Sequence, residues 1–394
     1  MLDKKDQKSL RFFATIVFLI FAITYLITFY AKGYRINLKE GINFNATGIL
    51  SVTSKPKTAS VYINGHLVSA TDDTINLPPG EYDIKIMKDG FTPWQKHIIL
   101  KKETVIQADA HLFRIIPDIR AITLTGAINP SLSPDGSKII YAVASASASK
   151  NNGLYQYDLA GNILPLGKNQ PKQIAPNFYN LDWSKFKYIL SPDGEELLIS
   201  SINTNISYLV NLNETITLSK LKDVTLNKTI IIESWKNTEN NQIVENLKKL
   251  PNVFKNFVST SSAKLSSLSL SDDKFLYLAQ ADFLLDKNII SPPPGQSTQL
   301  QNRQIKKGLY YVYDIKDDTN FLIGNESEIG SPFWLSGSNS IVFNQNNTIK
   351  AIDYDGTNLH TFYSDKFEGN FIAAKTDGNE LIILRDNLFA LSIR

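Results

Sequence analysis

The sequence contains no cysteine, and only two methionines, four histidines and four tryptophans among 394 residues. Without thiols there are no disulfides, thiolate nucleophiles or thiolate metal sites, although a cysteine-free chain suits either redox compartment. His66, His97, His111 and His360 never fall at i, i+2 or i, i+4 spacing. A sequence-local metal site is therefore not indicated, while distant ligands can still converge. Also missing are a Gly-x-Ser-x-Gly elbow, a phosphate-binding loop and a His-Glu-x-x-His pair, the signatures of α/β-hydrolase, nucleotide and zinc-protease chemistry. Excess charge is lacking too: 41 Lys and Arg oppose 38 Asp and Glu, a formal net charge of +3. Those charges are interspersed, so no nucleic-acid partner is expected. Asp353-Tyr354-Asp355-Gly356 and Asp317-Asp318 look like fragments of calcium loops, but they lack the ordered oxygen ligands and terminal Glu. Turn preferences of Asp and Gly account for them. Sequons at Asn45, Asn205, Asn213, Asn227 and Asn325 are expected by chance in so Asn-rich a chain. No catalytic, cofactor-binding or metal-binding residue is assigned, no cofactor is expected, and ligand-binding residues stay unknown.

What is present begins with an uncharged apolar run, Phe12 to Tyr30. As a helix it extends about 28 Å, close to the ~30 Å hydrocarbon core of a bilayer. Thr15, Thr24 and Thr28 can bond back to carbonyls one turn earlier. Tyr25, Phe29, Tyr30 and Tyr34 would set aromatic rings at the outer interface. A cleaved signal peptide would have a shorter apolar core and small residues at −3 and −1; here Ala31 is preceded at that spacing by Phe29. The reading is a retained anchor, residues 12–30, behind a cytoplasmic tail at 1–11. Lys4, Lys5, Lys8 and Arg11 face Lys32, Arg35 and Lys39 across it, a thin positive-inside bias. Because the globular mass follows the run, the N-terminus is placed inside and the rest outside the cytoplasmic membrane. Residues 31–47 read as a linker.

The remaining sequence, 43% apolar and 20% charged overall, is suited to folded domains. Residues 48–113 read as short strands between turns. Ser60-Val61-Tyr62-Ile63 leads into Asn64-Gly65, a type I′ hairpin signal. Leu77-Pro78-Pro79-Gly80 turns into a strand where Tyr82, Ile84 and Ile86 share one side. Asp89-Gly90 then turns into Phe91-Thr92-Pro93-Trp94 and the strand from His97. These stretches resemble the PEGA domain, a small β-sandwich-like module of prokaryotic surface proteins. The resemblance implies a non-catalytic extracytoplasmic module. Tyr82 and Trp94 read as core residues, since buried aromatics dominate small sandwiches. Thr71-Asp72 departs from the Thr-Pro usual in that family.

From residue 119 onward the chain is imperfectly self-similar. Ile128 to Ser133, the turn Pro134-Asp135-Gly136 and Lys138 to Ala142 form the first half of a unit. Gly153 to Leu159, a turn at Ala160-Gly161-Asn162 and a fourth strand at Ile163 to Leu166 complete it. Ser191-Pro192-Asp193-Gly194, Leu268 to Asp273, Pro332 to Gly337 and Phe371 to Gly378 open further copies, each followed by an apolar strand. The pattern is similar to the TolB-type β-propeller repeat. It implies a propeller over 119–394, of about five blades, alternatively six. The last unit ends one strand short, and Arg120 to Thr125 precedes the first, so the two are expected to share a blade. Residues 222–262 read as an insertion with a helix at Glu239 to Leu250, given by Ile243, Leu247 and Leu250 and ended by Pro251. The Pro- and Gln/Ser-rich stretch 286–306 reads as a flexible loop.

The expected fold class is thus mainly all-β: one N-terminal transmembrane helix, a small sandwich-like module, and a propeller with a helical insertion. The expected function is a non-enzymatic, membrane-anchored binding or scaffolding protein of a prokaryotic cell envelope. Its partners would be the lipid bilayer through residues 12–30 and an envelope protein or polysaccharide. The alternative is a propeller hydrolase or lyase acting on glycans or lactones, with a metal in its channel.

Overall fold

The computed structural model describes the chain apart from residues 1–3, 32–34, 38–42, 46, 161–169, 180, 249–251, 253–262, 269–272, 287–290, 292, 294, 366 and 368–370. Helix α1, Lys4–Ala31, carries the apolar run. Its described side chains extend from Phe12 to Thr28, roughly 25 Å of helix. Among the described residues no helix is long and apolar enough to cross a membrane. The Thr28 hydroxyl donates to the carbonyl of Thr24 at 2.8 Å, the back-bond expected of a polar group on this helix.

The chain forms two compact units. The first comprises Met1–Asp89, Pro93–Leu112 and Pro292–Gln299; the second comprises Gly90–Thr92, Phe113–Ser291 and Leu300–Arg394. In the first, a three-stranded sheet has the order Asp73–Leu77, Gly48–Lys55, Val105–His111. A four-stranded sheet has the order His66–Ala70, Ser60–Ile63, Gly80–Met87, Trp94–Leu100. Alternation drives their packing: Leu50 and Val52 from one sheet and Val61, Ile84, Ile86, Trp94 and Ile98 from the other are buried. A β-carbon on Gly48 would lie 2.5 Å from Leu100 Cγ, so glycine is what admits that approach. Asn64 and Gly65 have φ of 49° and 82°, as a type I′ turn requires. Tyr82 departs from its expected core position: it is half-buried, and its hydroxyl donates to Pro78 O at 2.8 Å. The peptide Thr71–Asp72 is cis, at the place where the PEGA resemblance leads one to expect Thr-Pro.

Of the stretch 286–306, expected as a flexible loop, the described residues make the following contacts. Gln304–Ile305 pairs with Phe283–Leu284. Within the first unit, Thr298 Oγ1 accepts from Ile99 N–H at 3.3 Å and Gln299 Nε2 donates to His97 O at 2.7 Å. These side chains occupy backbone groups on the edge strand Trp94–Leu100, groups that an open sheet otherwise leaves unpaired.

Among the described residues the second unit contains five four-stranded antiparallel sheets, I to V. Sheet I runs Ile128–Leu132, Lys138–Val143, Gly153–Asp158, Lys172–Pro176; sheet II runs Phe186–Leu190, Glu196–Ser201, Ser207–Asn211, Lys222–Asp223. Sheet III runs Ala263–Leu268, Lys274–Ala279, Leu309–Asp314, Thr319–Asn325; sheet IV runs Phe333–Trp334, Ser340–Gln345, Thr348–Asp353, His360–Tyr363. Sheet V takes Ile372–Ala374, Glu380–Arg385 and Asn387–Ser392 from the end of the chain and Asp118–Ala121 from the start of the repeats. Arg120 lies opposite Ala390, and its guanidinium reaches Glu380 at 2.9 Å. The fourth strand of sheet I is Lys172–Pro176; the turn and strand expected at 160–166 fall largely outside the described residues.

The second strand of each sheet is buried on both faces. In Lys138–Val143, Ile140 and Ala142 pack with Leu197 and Ile199 of sheet II, while Ile139, Tyr141 and Val143 pack with Ile382, Leu384 and Ala390 of sheet V. Sheets III and IV share Leu276, Val312, Ile341 and Phe343; sheets IV and V share Val342, Ala351, Leu381 and Leu391. Near-continuous apolar runs follow from this two-sided cover, as in buried sheets generally. Mainly β structure, in propeller-like sheets, accounts for this unit.

Helix α2, Lys228–Leu247, starts well before the expected Glu239. The Ile231 amide already bonds Asn227 O at 3.0 Å, and Ile231, Trp235 and Glu239 form a half-buried stripe at i, i+4, i+8. The expected stretch beyond Lys248 lies largely outside the described residues.

The Asp-Gly turns of the repeats recur as one structure. Gly136, Gly194 and Gly378 have φ of 69°, 69° and 67°, and each donates its amide to the residue three positions back at 2.8–2.9 Å. A β-carbon added at Gly136 would meet open space, whereas one on Gly378 would lie 1.9 Å from Ser336 O. Gly136→Ala should therefore cost about 1–2 kcal/mol from left-handed strain. Gly378→Ala should cost roughly 1–3 kcal/mol more from overpacking. Paired chemical-denaturation curves check this; equal losses would refute the close approach.

Candidate functional site

Residue positions that match in the repeat converge on a cavity of about 630 Å³ within the second unit. Leu132, Trp334 and Ala374 each end the first strand of their sheet or directly precede the turn. The wall is extended by Phe333, Ile372 and Pro332, with polar atoms from Asp135, Ser336, Asn344 and Thr376. The volume lies within the range of ~300–1,000 Å³ common to ligand pockets, as does the mixture of apolar wall and few polar groups.

The turn chemistry decides what those polar groups can do. Asp135 Oδ1 accepts from Ser137 N at 3.0 Å and Ser137 Oγ at 2.9 Å. Partial burial alone would raise the Asp135 pKa, but hydrogen bonds from Ser133 and Ser137, with the Lys138 charge, outweigh it and hold the carboxyl below its usual range. Lys138 in turn donates to Gly194 O of the next sheet at 3.0 Å. Asp135 is thus an ionised turn residue with its acceptor occupied, poorly placed as a general acid. Trp334 Nε1 is buried and has no hydrogen-bond partner among the described residues, an arrangement costing ~1–3 kcal/mol.

The residues considered for metal binding are not assembled. Among the described residues no group of three or more His, Asp or Glu is placed to hold an ion. Asp353 accepts from Asn358 Nδ2 at 3.0 Å and Asp355 from Thr357 Oγ1 at 2.6 Å. Asp318 pairs with Arg303 at 3.1 Å and accepts from Tyr313 OH at 2.9 Å. His97 is exposed beside Asp83, 2.7 Å away, in the first unit. His66 is exposed, and His111 is buried. His360 stacks on Phe113 at 5.7 Å and meets Phe362 edge-on at 4.9 Å. The repeat pattern marks Phe333-Trp334 only as part of a unit; the usable signal was two bulky aromatics where sheet I has Ser131-Leu132.

The PEGA domain model matches residues 47–115. No curated protein matches the chain. Among solved structures, the chain is similar to U3-55K, at 9% identity over 70% of this chain and 98% of that one, with a TM-score of 0.27. It is similar to TolB from Acinetobacter baumannii, at 14% identity over 80% of this chain and 60% of that one, with a TM-score of 0.20. A protein of unknown function from Bacteroides thetaiotaomicron is similar at 9% identity, over 87% of this chain and 92% of that one, with a TM-score of 0.26.

Burial lowers the pKa of His360 to about 4. Above pH 6.5 the ring is neutral in folded and unfolded chains alike. As pH falls from 6.5 toward 4, the unfolded chain binds the proton first, so stability is lost across that window. The loss is at most on the order of 3 kcal/mol. His360→Phe should remove that share of the acid sensitivity in urea titrations at pH 7 and 4.5; an unchanged pH slope would refute the assignment.

Proposed function

We propose that this chain is a membrane-anchored binding or scaffolding protein, with its β units outside the cytoplasmic membrane, that recognises an envelope protein or polysaccharide. The observation that carries the anchor is α1. Phe12, Phe13, Phe18, Ile20, Phe21, Leu26 and Ile27 all stand exposed on it, so the apolar surface encircles the helix instead of forming one stripe. A water-soluble helix packs an apolar stripe against a core; apolar cover on every face suits lipid. The helix from Lys4 to Ala31 has 28 residues, and its uncharged stretch from Phe12 to Tyr30 would extend about 28 Å, close to the ~30 Å hydrocarbon core. The short, lysine-bearing end before it is read as cytoplasmic.

The five sheets are read as blades of a closed propeller. Packing of I on II, III on IV, IV on V and V on I is supplemented by Leu198 of sheet II, fully buried on the face away from sheet I. Such a residue needs a neighbouring sheet, and sheet III follows in the chain. The cavity then opens among first strands, where a propeller has its channel. Its wall is apolar and aromatic, and its one carboxylate among the described residues is engaged by Ser137. Recognition, not bond cleavage, is what that lining favours.

The full chain should co-float with lipid vesicles and resist extraction by high salt. Leu19→Arg with Ile20→Arg should shift it to the soluble fraction, each charge costing ~2.5–3.5 kcal/mol at the helix centre. Protease added to intact cells should remove the β units. If it leaves them untouched, the extracytoplasmic role fails.

A further inference from the structure

A second concave feature of the second unit lies at the end of sheet II that carries the connection from sheet I. One wall holds Phe178 and Leu181, which exchange both backbone hydrogen bonds, at 3.1 and 3.0 Å. Tyr179 beside them is wholly exposed at 101%. The other wall is the turn Ser201–Ile206, closed by Ser201 N donating to Ile206 O at 2.9 Å. Phe186 and Tyr208 also line the space, about 600 Å³. Their rings lie 6.5 Å apart. Phe186 and Phe178 each contact Trp183, at 6.1 and 6.0 Å. Trp183 is fully buried, and its indole N–H donates to Pro176 O at 2.8 Å.

Several backbone donors of the two walls are already used. Asn203 N and Thr204 N donate to Ser201 Oγ at 3.3 and 3.1 Å, and Ser184 N donates to Asp182 Oδ1 at 3.1 Å. Ile202 N donates to Lys185 O at 2.9 Å, tying the second wall to the start of sheet II. A peptide strand would need such main-chain groups free. What the cleft presents instead is aromatic surface with side-chain hydroxyls and amides: the phenols of Tyr179 and Tyr208, the amide of Asn203 and the hydroxyl of Thr204. Its two charges, Asp182 and Lys185, stand 4.0 Å apart and offset each other. Sugar rings match this surface, with C–H faces that pack on aromatic rings and hydroxyls that bond both ways.

We propose that this cleft binds an uncharged polysaccharide chain, with Tyr179 stacking on a sugar ring and Asn203 and Thr204 bonding its hydroxyls. This deepens the binding role proposed above but concerns a site separate from the channel-side cavity, so vesicle flotation and sugar binding fail independently.

The test uses the full chain in detergent micelles, titrated with cellohexaose, chitohexaose, maltohexaose and laminarihexaose by calorimetry, with a decaproline peptide as the rival probe. At least one hexasaccharide should bind, and Tyr179→Ala should weaken it about tenfold, the scale of one aromatic contact. Tyr179→Phe should stay within about threefold, since the stacking face is kept. Thermal midpoints of both variants should match the parent, because Tyr179 packs against nothing. Asn203→Ala provides a second reading from the opposite wall and should also weaken binding. Failure of all four sugars, binding indifferent to Tyr179→Ala and Asn203→Ala, or binding of decaproline alone would overturn the proposal.

Discussion

The structure depends on one constraint: the second strand of every sheet in the repeat region must be covered on both faces. Ile139-Ile140-Tyr141-Ala142-Val143 has no polar side, and the same holds for Leu197 to Ile199, Phe275 to Ala279, Ile341 to Phe343 and Leu381 to Leu384. A lone sheet of this composition would expose one apolar face. Each sheet therefore needs two neighbours. A row of sheets leaves two bare outer faces, and only circular arrangement leaves none, which is the physical content of the propeller reading. Completion of sheet V by Asp118–Ala121 follows from the same demand applied to edges, because the strand Asn387–Ser392 would otherwise end the sheet unpaired.

Polar groups drawn into this packing are compensated locally. Lys274, at 8% exposure, lies 3.1 Å from Asp273 and 3.3 Å from Asp314, with its ammonium 4.9 Å from the Tyr354 ring centroid. Burial opposes the charge on Lys274, and the two carboxylates more than restore it. Such a pair contributes little net stability but is costly to break on one side. Of these contacts, only that of the ammonium with the Tyr354 ring reaches from sheet III toward sheet IV. Arg303, Asp318 and Tyr313 act similarly at the far edge of sheet III. Surfaces left for binding are then the places where turns and connections, not strands, meet: the cavity among first strands and the cleft beside Tyr179.

Helix α1 obeys the opposite rule. Its apolar residues are bare all around, and no described sheet covers them. In water that exposure is unfavourable at about 25 cal/mol per Å², so the helix and the β units call for different solvents. This difference, more than any side-chain constellation, is what supports the proposed membrane anchor.

Local features were legible in the sequence to the extent that local chemistry decides them. Asn64-Gly65 and the Asp-Gly turns at 136, 194 and 378 adopt the positive φ that their residues favour, because that preference belongs to the residue itself. The apolar strands after each turn were likewise readable, as was the sharing of sheet V by the two ends of the repeats. Elements whose existence rests on distant partners were not. The fourth strand of sheet I lies at Lys172–Pro176, where Gln173 pairs with Tyr155, although Ile163 to Leu166 is the more strand-like text. Helix α2 begins at Lys228, in a β-branched stretch of low helix propensity, and Thr298 and Gln299 bond to the strand Trp94–Leu100 of the first unit. The aromatic cleft arose from rings brought together from a connection and two strands. Sequence alone therefore determined turns, strand text and the apolar helix, since these follow from residue conformations and hydropathy. Tertiary structure alone decided which strands pair, which aromatics converge and which polar atoms stay free, because those depend on contacts between residues far apart in the chain.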